Sequence, residues 1–169
     1  MLRYVYGYDQ FVADFVARLI PHARRGFANV KAIGVVNENG QLIAGMVYHN
    51  WDPDAGILEM SGASIDPRWL TRETLARIYH VPFIKARCQM TAMRVPEDDE
   101  RLLRQLAMYG YVFVKVPRMF GRERNGVLCL LTDEAWAANK FNQRFEHHLL
   151  PFDAFDDTQD MELITEEAA

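Results

Sequence analysis

Apolar residues return at helical spacing early in the chain: Phe11, Phe15, Leu19 and Ile20, with Val12, Val16 and Ala17 widening the stripe. That period predicts a helix over residues 8–24, with Asp9 as an acid near its start. Before it, residues 2–6 alternate and predict a short strand. After Gly26 the period drops to two. Residues 30–36 read as a strand, residues 37–40 as a turn and residues 42–49 as the returning strand; Asn39-Gly40 at the tip is a strong hairpin signal. A third strand covers residues 57–65 and stops at Asp66-Pro67. The helical period then returns over residues 71–86 on Leu75, Ile78, Tyr79 and Phe83, with Pro82 placed to disturb the last turn. Residues 88–95 form a strand. Residues 97–109 form a helix on Leu102, Leu103 and Leu106, ended by Gly110. Two strands, residues 111–116 and 127–131, flank the basic loop 117–126, and a last helix spans residues 133–149.

The order β-α-β-β-β-α-β-α-β-β-α predicts an α/β (α+β) fold: a central, mixed, twisted sheet of six or seven strands with helices on both faces. A chain of 169 residues, half of them hydrophobic, fills one core, so residues 1–150 are expected to form a single domain and residues 151–169 an acidic tail. No apolar run is long enough to span a bilayer, and the N-terminus carries no signal-peptide pattern, so a cytoplasmic location is expected. Cys88 and Cys129 lack metal or redox spacing and read as buried thiols. The net charge of −4 hides an asymmetry: residues 68–124 hold twelve Lys or Arg against six Asp or Glu. Arginines at helical spacing form solvated faces, so nucleic acid is not the expected partner. Beyond Pro151 stand seven acids and no Lys or Arg.

Several local motifs carry chemistry. They run Asp66-Pro67-Arg68-Trp69-Leu70-Thr71-Arg72, then Leu75 and Pro82-Phe83, the strand Met90-Thr91-Ala92-Met93-Arg94-Val95, the helix at 101–108, and Tyr109-Gly110-Tyr111. In that order and spacing they resemble the GNAT-type N-acetyltransferase superfamily over residues 30–136, most of all its small phage and prophage members. The resemblance implies acetyl-CoA as acyl donor, a small-molecule or peptide amine as acceptor, and direct attack of the amine on the thioester. It places the pantetheine arm and the thioester carbonyl against backbone amides of Ala63, Ser64 and Ile65, where Gly62 signals a bulge or a close backbone approach. The following loop and helix start would receive the pyrophosphate, near Arg68, Thr71 and Arg72.

Glu59 is the acid in the same strand, sharing a face with Ser61 and Ala63, and it is the candidate general base; His49 is a second. Tyr109 is the candidate proton donor to the leaving thiolate. Two departures from the family pattern stand out. Residues 66–72 contain no glycine, so cofactor binding must lean on arginine side chains. Counting back from Gly110, the family's usual Tyr position holds Leu106, and Tyr109 is one turn later; its other reading is a core aromatic. Those departures leave open a second function class, a GNAT-fold phage-type protein without chemistry that serves as a binding or structural component. No metal is expected: His147 and His148 are adjacent and point apart on a helix. Ala137, Phe141, Phe145 and Leu149 make an apolar stripe that serves either the core or a homodimer through the last helix. The acidic tail, with Phe152, Phe155, Met161, Leu163 and Ile164, is expected to lie on the domain or on a neighbouring subunit.

Overall fold

The computed structural model describes residues 1–143, the side chains of Phe141 and Gln143 excepted. Phe145, His147, His148, Leu149 and the acidic tail lie outside the described residues.

Seven strands form one mixed sheet, as the pattern predicts. They are β1 (Arg3–Val5), β2 (Lys31–Val36), β3 (Leu42–Asp52), β4 (Ile57–Ser64), β5 (Met90–Pro96), β6 (Val112–Val116) and β7 (Gly126–Thr132). Their order across the sheet is β1-β2-β3-β4-β5-β7-β6. The pairs β1–β2, β2–β3, β5–β7 and β6–β7 are antiparallel, and β4–β5 is parallel. The helices are α1 (Asp9–Leu19), α2 (Arg72–His80), α3 (Glu100–Tyr109), α4 (Asp133–Ala138) and α5 (Lys140–Gln143).

Element ends differ from the sequence reading for local reasons. Helix α1 stops at Leu19 rather than Arg24, because Ile20 precedes Pro21 and takes an extended conformation (φ −100°, ψ 110°). Helix α2 gives way at Val81–Lys85 to a wider turn in which the Ala86 amide reaches the Val81 carbonyl, five residues back, at 2.9 Å. Pro82 has no N–H to offer an ordinary helical ladder. Helix α3 begins three residues later than predicted, since the Asp99 carboxylate caps it by accepting the Leu102 amide. It ends as predicted on Gly110 at φ 111°, where the Gly110 and Tyr111 amides return to Ala107 and Leu106 carbonyls. The predicted last helix is interrupted at Asn139, which is extended (φ −66°, ψ 124°).

The chain forms two compact units. The first holds residues 1–49 and 61–78. On one face of its strands, Val12 and Val16 of α1 sit so close that a Cβ at Gly45 would lie 2.6 and 2.9 Å from their methyls, and Ala32 and Val47 complete the cluster. On the other face the Tyr48 hydroxyl donates to the Ile78 carbonyl of α2 at 2.7 Å. Val47 and Tyr48 are consecutive in β3 and point to opposite faces, so the two helices cover both sides of this half of the sheet. Gly62 is a place of close approach: a Cβ there would meet Met46 Cε at 2.6 Å.

The second unit holds residues 50–60 and runs from residue 79 through the described end. Alternate residues of β5 and β7 are buried, among them Thr91, Met93, Val95, Val127, Cys129 and Leu131. Tyr79 is the hub of its aromatic layer. It stacks on Tyr109 with ring centroids 4.6 Å apart and on Phe83 at 6.2 Å, and Phe83 stacks in turn on Trp136 at 5.0 Å.

Candidate active site

Glu59 lies in the second unit, in the parallel ladder that pairs Ile57–Glu59 with Met90–Ala92. Its side chain is 28 % exposed, so a solute can reach it. Both carboxylate oxygens have partners. Oε1 accepts from Asn50 Nδ2 at 3.0 Å, and Oε2 faces Arg94 Nε at 3.5 Å. Asn50 sits at φ 49°, a left-handed conformation that Asn tolerates better than most residues. Reading the sequence did not single out Arg94 or Asn50. Arg94 reaches Glu59 because Glu59 is level with Ala92 across the ladder, and residue 94 shares Ala92's face. That signal appears only once the strands are paired.

In the first unit, Ser61 accompanies His49. The imidazole Nε2 lies 2.9 Å from Ser61 Oγ, and the ring rests against Phe27 at 5.0 Å. His49 is buried. At the end of β4 the Ile65 amide donates to the Ile43 carbonyl at 2.9 Å, so it is already engaged in the sheet. The Ser64 hydroxyl bridges the Ile43 and Asp66 carbonyls and accepts the Asp66 amide. Ala63 packs against the cluster of Val12, Ala13, Val16, Ala32 and Val47.

The glycine-free loop is a tight turn over Pro67–Trp69, capped by the Asp66 carboxylate. Its amides are turned inward: Arg68 N–H donates to Asp66 Oδ1, Trp69 N–H to the Asp66 carbonyl and Thr71 N–H to the Trp69 carbonyl. Arg68 closes on Asp66 with three further side-chain bonds, the shortest 2.7 Å. Those bonds, with the Arg68 amide, hold the Asp66 carboxyl down to about 2. Thr71 is the cap of α2: its hydroxyl accepts the Thr74 amide at 3.1 Å and lies 2.9 Å from Thr74 Oγ1, which meets Tyr4 Oη at the same distance. The Arg72 and Glu73 amides open the helix, where no intrahelical acceptor exists. Arg72 is exposed.

Tyr109 is buried, and its hydroxyl donates to Asn142 Oδ1 at 3.0 Å. Asn142 in turn donates to the Trp136 carbonyl at 2.7 Å. Burial pushes the Tyr109 phenol above the usual tyrosine range. The structure therefore places this residue in the aromatic layer with its proton already committed. Leu106 is also buried. Burial raises the Cys88 thiol to about 11 and Cys129 to about 12, far from a reactive thiolate. Among the described residues no cluster of His, Cys, Asp or Glu is arranged to hold a metal ion, and no helix is long and apolar enough to cross a membrane.

No protein-family model and no curated protein matches the sequence. Solved structures do match the fold. Mutant forms of the spermidine/spermine N-acetyltransferase SpeG from Vibrio cholerae align with a TM-score of 0.66 at 10% identity, over 86% of this chain and 100% of theirs. A provisionally assigned acetyltransferase aligns with a TM-score of 0.63 at 16% identity, over 85% of this chain and 92% of that one. The chain has the GNAT acyltransferase fold. The dodecameric structure of the Vibrio cholerae spermidine N-acetyltransferase gives a TM-score of 0.63 at 12% identity, covering 83% of this chain and 97% of that one. At such identities the likeness speaks for the fold, and activity has to be argued from the residues.

Proposed function

We propose that this protein is an N-acyltransferase that moves an acetyl group from acetyl-CoA to an amine. The observation that carries the reading is Glu59: a reachable carboxylate inside β4 of a fold shared with N-acetyltransferases. An alkylammonium with a pKa near ~10.4 is mostly protonated at neutral pH and cannot attack until a base removes a proton. In the proposed step Glu59 takes that proton. The amine lone pair then forms a C–N bond to the thioester carbonyl, the C–S bond breaks, and the thiolate leaves. The second nitrogen proton goes to the thiolate, giving amide and free CoA thiol. This route needs no separate acid, which suits a Tyr109 whose hydroxyl is engaged with Asn142.

For the donor, we assign the pantetheine arm and thioester carbonyl to the Ala63–Ser64 stretch of β4. Strand alternation turns the Ser64 amide away from the side on which Ile65 bonds β3. The phosphates fall to the Arg72 and Glu73 amides with the Arg72 side chain, and to Arg68 once it leaves Asp66. The inward-turned loop amides make this a weaker anion site than a glycine-rich loop.

Thermal unfolding with acetyl-CoA tests the reading. At a hundredfold excess over the dissociation constant a ligand stabilises by about 2.7 kcal/mol. A shift of that size, matched by CoA but not by an adenine nucleotide lacking the pantetheine arm, supports it. No shift at millimolar acetyl-CoA favours the alternative, a GNAT-fold protein without chemistry.

A further inference from the structure

The outer half of the sheet in the second unit has two unlike faces. One is buried on β5 and β7, with Phe113 of β6 at its rim. The other, set by the register, carries Ala92 opposite Leu130 opposite Val112, and in the next row Arg94 opposite Leu128 opposite Val114. Directly paired residues share a face, so these six side chains line one surface. Among the described residues its outer part is open: Val112 is 61 % exposed and Val114 48 %, Leu128 and Leu130 are half-buried, and Ala92 beside Glu59 is buried. It has a head and an end. At the head Glu59 is level with Ala92 and holds Arg94 at 3.5 Å. At the far end, the β6–β7 loop folds back so closely that a Cβ at Gly126 would sit 2.6 Å from Met119 Sδ and 2.7 Å from Phe120 Cε2.

We propose that this surface selects the acceptor, and that the acceptor is an α-amino acid with an apolar side chain rather than a polyamine. Charge complementarity decides the class. A polyamine carries several cations and needs several acids. On this surface the Glu59 carboxylate stands against the Arg94 guanidinium, leaving no net negative charge. A carboxylate on the carbon next to the amine matches the pair: the ammonium meets Glu59 and the carboxylate meets Arg94, whose side chain is 49 % exposed. The apolar side chain then lies along Leu130, Leu128 and Val112 toward the Met119–Phe120 wall. The inference rests on the acyltransferase reading of Glu59 and adds the substrate class to it.

Calorimetric titration of the full chain with L-phenylalanine, phenethylamine, L-alanine and spermidine tests it, with and without CoA. L-Phenylalanine is expected to bind at least tenfold more tightly than each of the others. Arg94→Gln should remove its advantage over phenethylamine. Val112→Lys, at an exposed site that folding tolerates, should remove its advantage over L-alanine. Spermidine binding as tightly as L-phenylalanine, unchanged ratios in both variants, or no binding by any probe overturns the proposal. So does a wild-type dimer that Val112→Lys converts to monomer without any amino-acid binding, since a second copy then covers the face. CoA release with spermidine alone sinks the substrate class and keeps acyl transfer. L-Phenylalanine binding without any response to acetyl-CoA keeps the surface and sinks acyl transfer.

Discussion

Replacing Tyr109 by Phe separates a core tyrosine from an acid in the reaction. The change keeps the ring stacked on Tyr79 at 4.6 Å and deletes only the hydroxyl that donates to Asn142 Oδ1 at 3.0 Å. Asn142 is buried, and its Nδ2 remains tied to the Trp136 carbonyl, so its oxygen cannot turn to water without breaking that second bond. A buried acceptor left without its donor costs about 1–3 kcal/mol. The middle of that range lowers the unfolding midpoint by about 4–8 °C in a chain of this size. Circular dichroism melts of wild type, Tyr109→Phe, Asn142→Ala and the double variant should show the two single losses overlapping, because both remove the same bond. Turnover of Tyr109→Phe below its melting point should stay within about twofold of wild type. An unchanged midpoint with a tenfold or greater drop in turnover would refute this reasoning and return Tyr109 to the chemistry.

Three more outcomes follow from the geometry. Glu59→Gln keeps the shape and the Asn50 and Arg94 neighbours but removes the base, so kcat should fall about 10²–10⁴-fold with little change in acetyl-CoA affinity; steady-state kinetics over pH reads both. Asp66→Asn should release Arg68 and tighten CoA binding roughly three- to fivefold at low salt, an advantage that shrinks as salt screens it; binding weakened or unchanged at every salt concentration contradicts the phosphate assignment. The folded-state phenols of Tyr109 and Tyr111 are raised by burial, so the stability of their neutral forms is fully present below about pH 10 and is lost as pH climbs toward the folded values. A phenolate absorbance titration of the native protein should therefore not register Tyr109 and Tyr111 until alkaline unfolding releases them.

The fold was legible because its periods are clean. The stripe on Val12 and Val16, the Asn39-Gly40 turn and the Gly110 stop are local signals, and each is used where it was read. Helix ends were less legible, since they turn on single residues such as the extended Ile20 and Asn139. The candidate site was half legible. Glu59 and its face with Ser61 and Ala63 come from strand alternation alone. Arg94 stands 35 positions away and becomes a partner only through the parallel ladder. The engagement of Ile65 with Ile43 and of Arg68 with Asp66 likewise depends on strand order and on a turn conformation that no residue pattern specifies.

The central claim is amine acylation at Glu59, and one measurement addresses it directly. The intact protein is incubated with acetyl-CoA and a panel of amines, amino acids and peptides; free CoA thiol and acceptor mass are followed together. The account predicts one thiol released for each acceptor that gains an acetyl group, at a rate that collapses in Glu59→Gln while acetyl-CoA still binds. Thiol release without an acetylated acceptor, or the same rate in Glu59→Gln as in wild type, would contradict it.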